Sequence, residues 1–301
     1  MRKLLTVLAA LVVLVLIIIG VVRWIGSTPE TQPPTTPPEA QPTQPEWCQD
    51  FEVIAAPGTW ESAPTDDPAN PTFNPQSFML NITRPIQQTY SPDQVKVWTL
   101  PYTAQFRSIQ DMSQMSYDDS REEGSAAVID EMVSTNSQCP LTQFILTGFS
   151  QGAVILGDIA SEIGGGRTSI PPEQVAGVTL IADGRREPGV GVTVGNEVAG
   201  VGAEIALHDV NALIQPIVPG ATMRGVRAGG FGVLNDRVNQ ICAPDDAICD
   251  APMNIGSGID RAMALVEANG VHALYATNPN VIPGTTADQW AVGWINGIIS
   301  G

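Results

Sequence analysis

The chain has 301 residues, 43% of them hydrophobic and 15% charged, with a formal net charge of −17 and lysine only at Lys3 and Lys96. That length buries a core and holds one domain of roughly 200 to 250 residues plus appendages, while the acidity and the lack of any basic patch exclude a nucleic-acid partner held by phosphate contacts. Two histidines and four cysteines without a C-x-x-C pair give no support for a zinc site, so no metal and no cofactor is expected.

Residues 4–22 are nineteen residues without a charge, flanked by Arg2, Lys3 and Arg23, with Thr6 as the one polar side chain. As a helix at 1.5 Å per residue they reach roughly 28 Å, about the thickness of a bilayer's hydrocarbon layer. A transmembrane signal-anchor over 1–26 is expected, with the rest of the chain on the extracytoplasmic side, a cleaved secretory signal being the alternative. Residues 27–46 carry seven prolines among Thr, Gln and Glu. They read as an extended linker reaching on the order of 60 Å.

The globular domain is expected over 47–301. Residues 51–56 read as a strand and 57–61 as the turn leaving it. Residues 64–75 form a loop, 76–89 a helix despite Pro85, 95–100 a second strand and 117–134 a helix with Asp118, Asp119, Glu122 and Glu123 near its start. A central strand and helix follow, then a strand at 175–182, a less regular stretch at 183–220 and a fifth strand at 222–228. Helices are predicted at 257–268 and 285–299. Strands alternating with helices imply an α/β fold, a mostly parallel five-stranded sheet covered on both faces.

Residues 143–166, QFILTGFSQGAVILGDIASEIGGG, organise the rest. An apolar β-type run leads into Gly148-Phe149-Ser150-Gln151-Gly152, and a helix-type run ends in three glycines. A serine on so sharp a strand-to-helix turn needs small neighbours two positions away on each side. The helix beyond it aims its first N–H groups where negative charge develops in acyl transfer. Ser150 is thus the candidate nucleophile. A serine hydroxyl needs a base, and the base an orienting acid; after such an elbow the acid and then the histidine follow in the chain. His272 comes after the acidic candidates and is the expected base, whereas His208 precedes them and reads as a surface or lid residue. Asp245 and Asp246 both lie between Cys242 and Cys249, in a short loop that a disulfide would close. The residues alone do not choose between these two aspartates. Four cysteines in an exported chain predict two disulfides, of open connectivity.

These motifs together resemble the cutinases, serine esterases of the α/β-hydrolase fold with little or no lid. In that family a cysteine precedes a G-[YF]-S-Q-G elbow, as Cys139 does here, and a tyrosine follows the histidine by three, as Tyr275 follows His272. The resemblance covers about residues 48–299. It implies Asp246 as the acid, an oxyanion hole from Thr59 and the N–H of Gln151, and disulfides joining Cys48 to Cys139 and Cys242 to Cys249. With the anchor and linker it narrows to the membrane-anchored cutinase-like envelope lipases of actinobacteria that make mycolic acids, which look like phospholipases and thioesterases. Two departures stand out. The gap from Asp246 to His272 is longer than in fungal cutinases, and 183–220 reads as an insertion whose Ile205, Leu207, Leu213 and Ile214 would contact lipid if it shapes an acyl groove.

The expected protein is a monomeric, envelope-anchored serine esterase or lipase acting on a lipid or acyl-ester substrate. An acyltransferase would share every step up to the acyl-enzyme, and a catalytically silent surface protein would share only the scaffold.

Overall fold

A computed structural model describes residues 2–25, 43–253 and 270–301, in two units, Met1–Gln41 and Pro42–Gly301. In the first unit Arg2–Ile25 is a single helix, α1. Its apolar side chains described from Leu8 to Trp24 are exposed. Among the described residues no helix is long and apolar enough to cross a membrane.

The second unit follows the alternation of strand and helix: β1 (Phe51–Ala56), α2 (Leu80–Thr89), β2 (Val95–Thr99), α3 (Tyr117–Gln138), β3 (Gln143–Phe149), α4 (Gln151–Gly164), β4 (Val175–Ile181), β5 (Val192–Val194), α5 (Ala203–Ala206), α6 (Asn211–Ile214), β6 (Val238–Ile241) and α7 (Ala287–Ser300). The six strands form one sheet in the order β2-β1-β3-β4-β6-β5, and every neighbouring pair is parallel. Because strand side chains alternate between faces, Ile54 and Ala56 of β1 join Phe144 and Leu146 of β3 under α3 and α4. Val53 and Ala55 join Ile145 on the opposite face, under Met79 just before α2, Ile82 and Ile86 of α2, and Ala287, Ala291 and Ile295 of α7. Both faces are covered, so the strands read as near-continuous apolar runs.

Three expectations are corrected. The sheet has six strands, not five, because Val238–Ile241 and the short edge strand Val192–Val194 complete it. Residues 222–228 form no strand. Their backbone is satisfied by side chains instead of a ladder: Thr222 N–H donates to Asp118, Met223 N–H to Asn211 and Arg224 N–H to Glu204, and Arg185 donates to the carbonyls of Gly225 and Val226. The helix expected over 76–89 starts only at Leu80, since the Phe78 N–H is held by Glu61 Oε1 at 2.9 Å. Residues 183–220 are indeed irregular, broken into the short pieces β5, α5 and α6. The predicted helix at 257–268 lies outside the described residues. Disulfides join Cys48 to Cys139 and Cys242 to Cys249.

Candidate active site

In an open parallel sheet the crevice beyond the carboxyl ends of the strands opens where the strand order reverses. Here that point lies between β1, from which the chain moves outward to β2, and β3 on the other side. Ser150 leaves the end of β3, and the loop carrying Thr59 leaves the end of β1. Ser150 has φ 53° and ψ −118°. That left-handed backbone is strained for a residue with a Cβ. Close approach explains the glycines around it: a Cβ on Gly152 would lie 2.0 Å from the Ala56 carbonyl oxygen, and one on Gly148 would lie 2.6 Å from the Gly152 carbonyl oxygen.

His272 Nε2 lies 2.9 Å from Ser150 Oγ, and His272 Nδ1 lies 2.9 Å from Asp246 Oδ2 and 3.2 Å from Oδ1. A carboxylate only accepts, so this network assigns the ring proton to Nδ1 and leaves Nε2 to accept from the serine hydroxyl. Asp246 is fully buried. It also accepts from the Ile248 N–H at 2.9 Å and from the Tyr275 hydroxyl at 2.7 Å. Asp245 is exposed and points its own N–H at Asp250 Oδ2, 2.9 Å away. Of the two aspartates, then, Asp246 meets the imidazole. The loop that holds it is closed by the Cys242–Cys249 disulfide. Phe149 stacks on the His272 ring, with centroids 5.0 Å apart and planes 21° from parallel, which restricts ring rotation.

These groups open into a cavity of about 360 Å³. Thr59, Gln151, Ser150 and His272 all line it, as do apolar side chains such as Phe78, Phe106, Val154 and Met223. Gln151 is the first residue of α4, so its N–H has no acceptor within the helix. Its side-chain Oε1 accepts from the buried Tyr102 hydroxyl at 3.2 Å. From the inserted stretch the wall takes Gly184, Ala203 and Glu204. None of the four side chains expected to touch lipid lines the cavity: Leu207 and Ile214 are buried in a small core of their own, Ile205 packs on another, and Leu213 is exposed. His208 does not line the cavity; its Nδ1 lies 2.8 Å from the carbonyl of Met223, which does.

Two features were not legible as site elements. Glu61 reads in the sequence as the end of a turn, yet it lines the cavity and accepts three hydrogen bonds. Glu204, whose spacing signals nothing, is buried against Arg121, Arg224 and the Tyr117 hydroxyl. Among the described residues no group of histidine, cysteine and carboxylate side chains could hold a metal ion.

A family model described as Cutinase matches residues 47–263. The chain belongs to the cutinase family. It is also similar to the carboxylesterase Culp6 homolog of Corynebacterium glutamicum, 60% identical over 306 residues that cover 99% of each chain. Among solved structures it resembles the catalytic core of acetyl xylan esterase from Trichoderma reesei (TM-score 0.52, 16% identity, covering 83% of this chain and 98% of the other). It also resembles a cutinase-like protein from Cryptococcus sp. (TM-score 0.52, 19% identity, covering 86% and 99%). At such identities the structural likeness establishes the α/β-hydrolase fold, and family membership establishes a carboxylic ester hydrolase.

Proposed function

We propose that this protein hydrolyses acyl esters or thioesters of the cell envelope, phospholipids among them, through an acyl-enzyme on Ser150. One observation carries the reading: Ser150 Oγ, the His272 ring and the buried Asp246 carboxylate form one unbroken chain of hydrogen bonds, and Ser150 and His272 line a largely apolar cavity. His272 Nε2 takes the serine proton as Oγ attacks the carbonyl carbon. Asp246 holds the ring in the required tautomer and stabilises the imidazolium that forms. Thr59 and the Gln151 N–H receive the oxyanion. The tetrahedral intermediate collapses, His272 returns the proton to the leaving alcohol or thiol, and a water activated by the same imidazole releases the acid. Ser150→Ala is expected to abolish turnover of p-nitrophenyl butyrate and labelling by a fluorophosphonate while leaving the thermal midpoint near that of the wild type. Turnover by that variant at the wild-type rate would remove Ser150 from the mechanism.

The place of action proposed is the outer side of the membrane, with a monomeric catalytic domain tethered by the N-terminal helix and the proline-rich linker. Support comes from the nineteen uncharged residues 4–22 between basic flanks and from the continuous helix Arg2–Ile25. Fractionation of cells producing the full chain tests it: the anchored form stays in the membrane pellet after carbonate washing, and recovery in the supernatant refutes it.

A further inference from the structure

Two carboxylates line the cavity without a part in the steps above, the buried Glu204, held by arginines, and the half-buried Glu61. Glu61 follows a turn in which Trp60 has φ 64°, a conformation costly for a bulky side chain. The turn is held shut from several sides. Glu61 N–H donates to the Gly58 carbonyl at 3.1 Å, Trp60 N–H to the Ala104 carbonyl at 2.6 Å, and Asn74 Nδ2 to the Trp60 carbonyl at 3.3 Å. The carboxylate adds a different kind of hold. Its Oε2 accepts from the Gly58 N–H and from Ser77 Oγ, both at 3.1 Å, and its Oε1 accepts from the Phe78 N–H at 2.9 Å. A single side chain therefore ties the loop after β1 to the segment entering α2, two walls of the same cavity.

Gly58 is pressed onto the elbow: a Cβ there would lie 2.9 Å from Phe149 Cδ1 and 3.3 Å from Ser150 Cβ. Any slackening of Gly58 consequently moves its neighbour Thr59 relative to Ser150. Burial pushes the Glu61 carboxyl above its usual range, offset in part by the Phe78, Gly58 and Ser77 hydrogen bonds and by His272. Desolvating a carboxylate costs stability, and the turn already has its Glu61 N–H to Gly58 closure without that side chain.

We propose that Glu61 is a positioning residue for oxyanion stabilisation, fixing Thr59 against Ser150 by clamping the Gly58 N–H to Ser77 and Phe78. This rests on the esterase reading above and extends it.

The full chain carrying Glu61→Gln is compared with wild type on p-nitrophenyl butyrate, with Ser77→Ala as a milder variant that removes one donor and little volume. An alkyl trifluoromethyl ketone, which forms an oxyanion on the serine, and the corresponding methyl carbinol, which does not, are the two competitive probes. The expected result for Glu61→Gln is a fall in kcat of roughly 10- to 100-fold with KM within about twofold. Affinity for the trifluoromethyl ketone should fall by a similar factor, with affinity for the carbinol unchanged. Ser77→Ala should show the same pattern at a smaller size, and it decides the matter if Glu61→Gln does not fold. Unchanged kcat, or equal weakening of both probes, overturns the proposal alone. A wild type that fails to turn over the ester overturns the esterase reading and this one with it.

Discussion

The Tyr275 hydroxyl lies 2.7 Å from Asp246 Oδ2, the same oxygen that His272 Nδ1 approaches to 2.9 Å. The phenol in turn accepts from the Ala243 N–H at 2.9 Å, so it links the backbone after β6 to the acid that orients the imidazole. Burial holds its pKa well above the ordinary tyrosine value, with the Asp246 charge adding to this, and it therefore donates at any working pH. Tyr275→Phe is expected to lower kcat about tenfold on a short acyl ester and leave KM nearly unchanged. Stability should fall by about 1 to 3 kcal/mol in urea unfolding, because the buried Ala243 N–H loses its acceptor. A variant with wild-type kcat would show that the phenol does not help to hold the acid.

The two neighbouring aspartates separate by environment. Asp246→Asn keeps the shape of the side chain but disturbs the tautomer of His272, so kcat is expected to drop by roughly 10³- to 10⁴-fold. Asp245→Asn, on an exposed turn with φ 66° that asparagine tolerates, should stay within about twofold of wild type. Steady-state kinetics of the pair reads this directly, and equal losses would mean that the loop, not one carboxylate, is what matters.

Far from the site, Glu52 of β1 is fully buried, with Lys96 Nζ 3.1 Å away. Burial raises its pKa to about 7, Lys96 opposing the shift. The folded state then binds a proton that the unfolded chain has already released between the ordinary value of 4.5 and about 7. This contribution to stability is full below pH 4.5 and falls as pH rises through that window, by on the order of 3 kcal/mol in all. Glu52→Gln should flatten that slope in urea unfolding measured from pH 4.5 to 8. Parallel curves for the two proteins would rule the effect out.

The elbow was legible in the sequence because its signature is local: Gly148 closes on Gly152 within one turn, although Gly152 itself answers to the Ala56 carbonyl of the neighbouring strand β1. His272 could be named because so few histidines compete with it. Asp246 needed more than residue type, since Asp245 offers the same carboxylate; burial and the His272 contact separate them. The failed strand at 222–228 shows the limit from the other side. Its apolar and β-branched content suits a strand, but Arg224 and Arg227 are drawn into ion pairs with Glu204, Asp158 and Asp183 from distant parts of the chain. Those partners come together only in three dimensions. Glu61 was hidden likewise, because the groups that donate to it lie 3, 16 and 17 positions away.

The groups proposed to react leave different strands of the sheet: Thr59 after β1, Ser150 after β3, Asp246 after β6, with His272 122 positions beyond the serine. No fragment of the nascent polypeptide carries them all in register. On the proposed mechanism the chain is consequently inert until its last tertiary contacts form. Recovery of turnover after dilution from denaturant thus counts fully assembled molecules, a stricter tally than helix content or compaction would give.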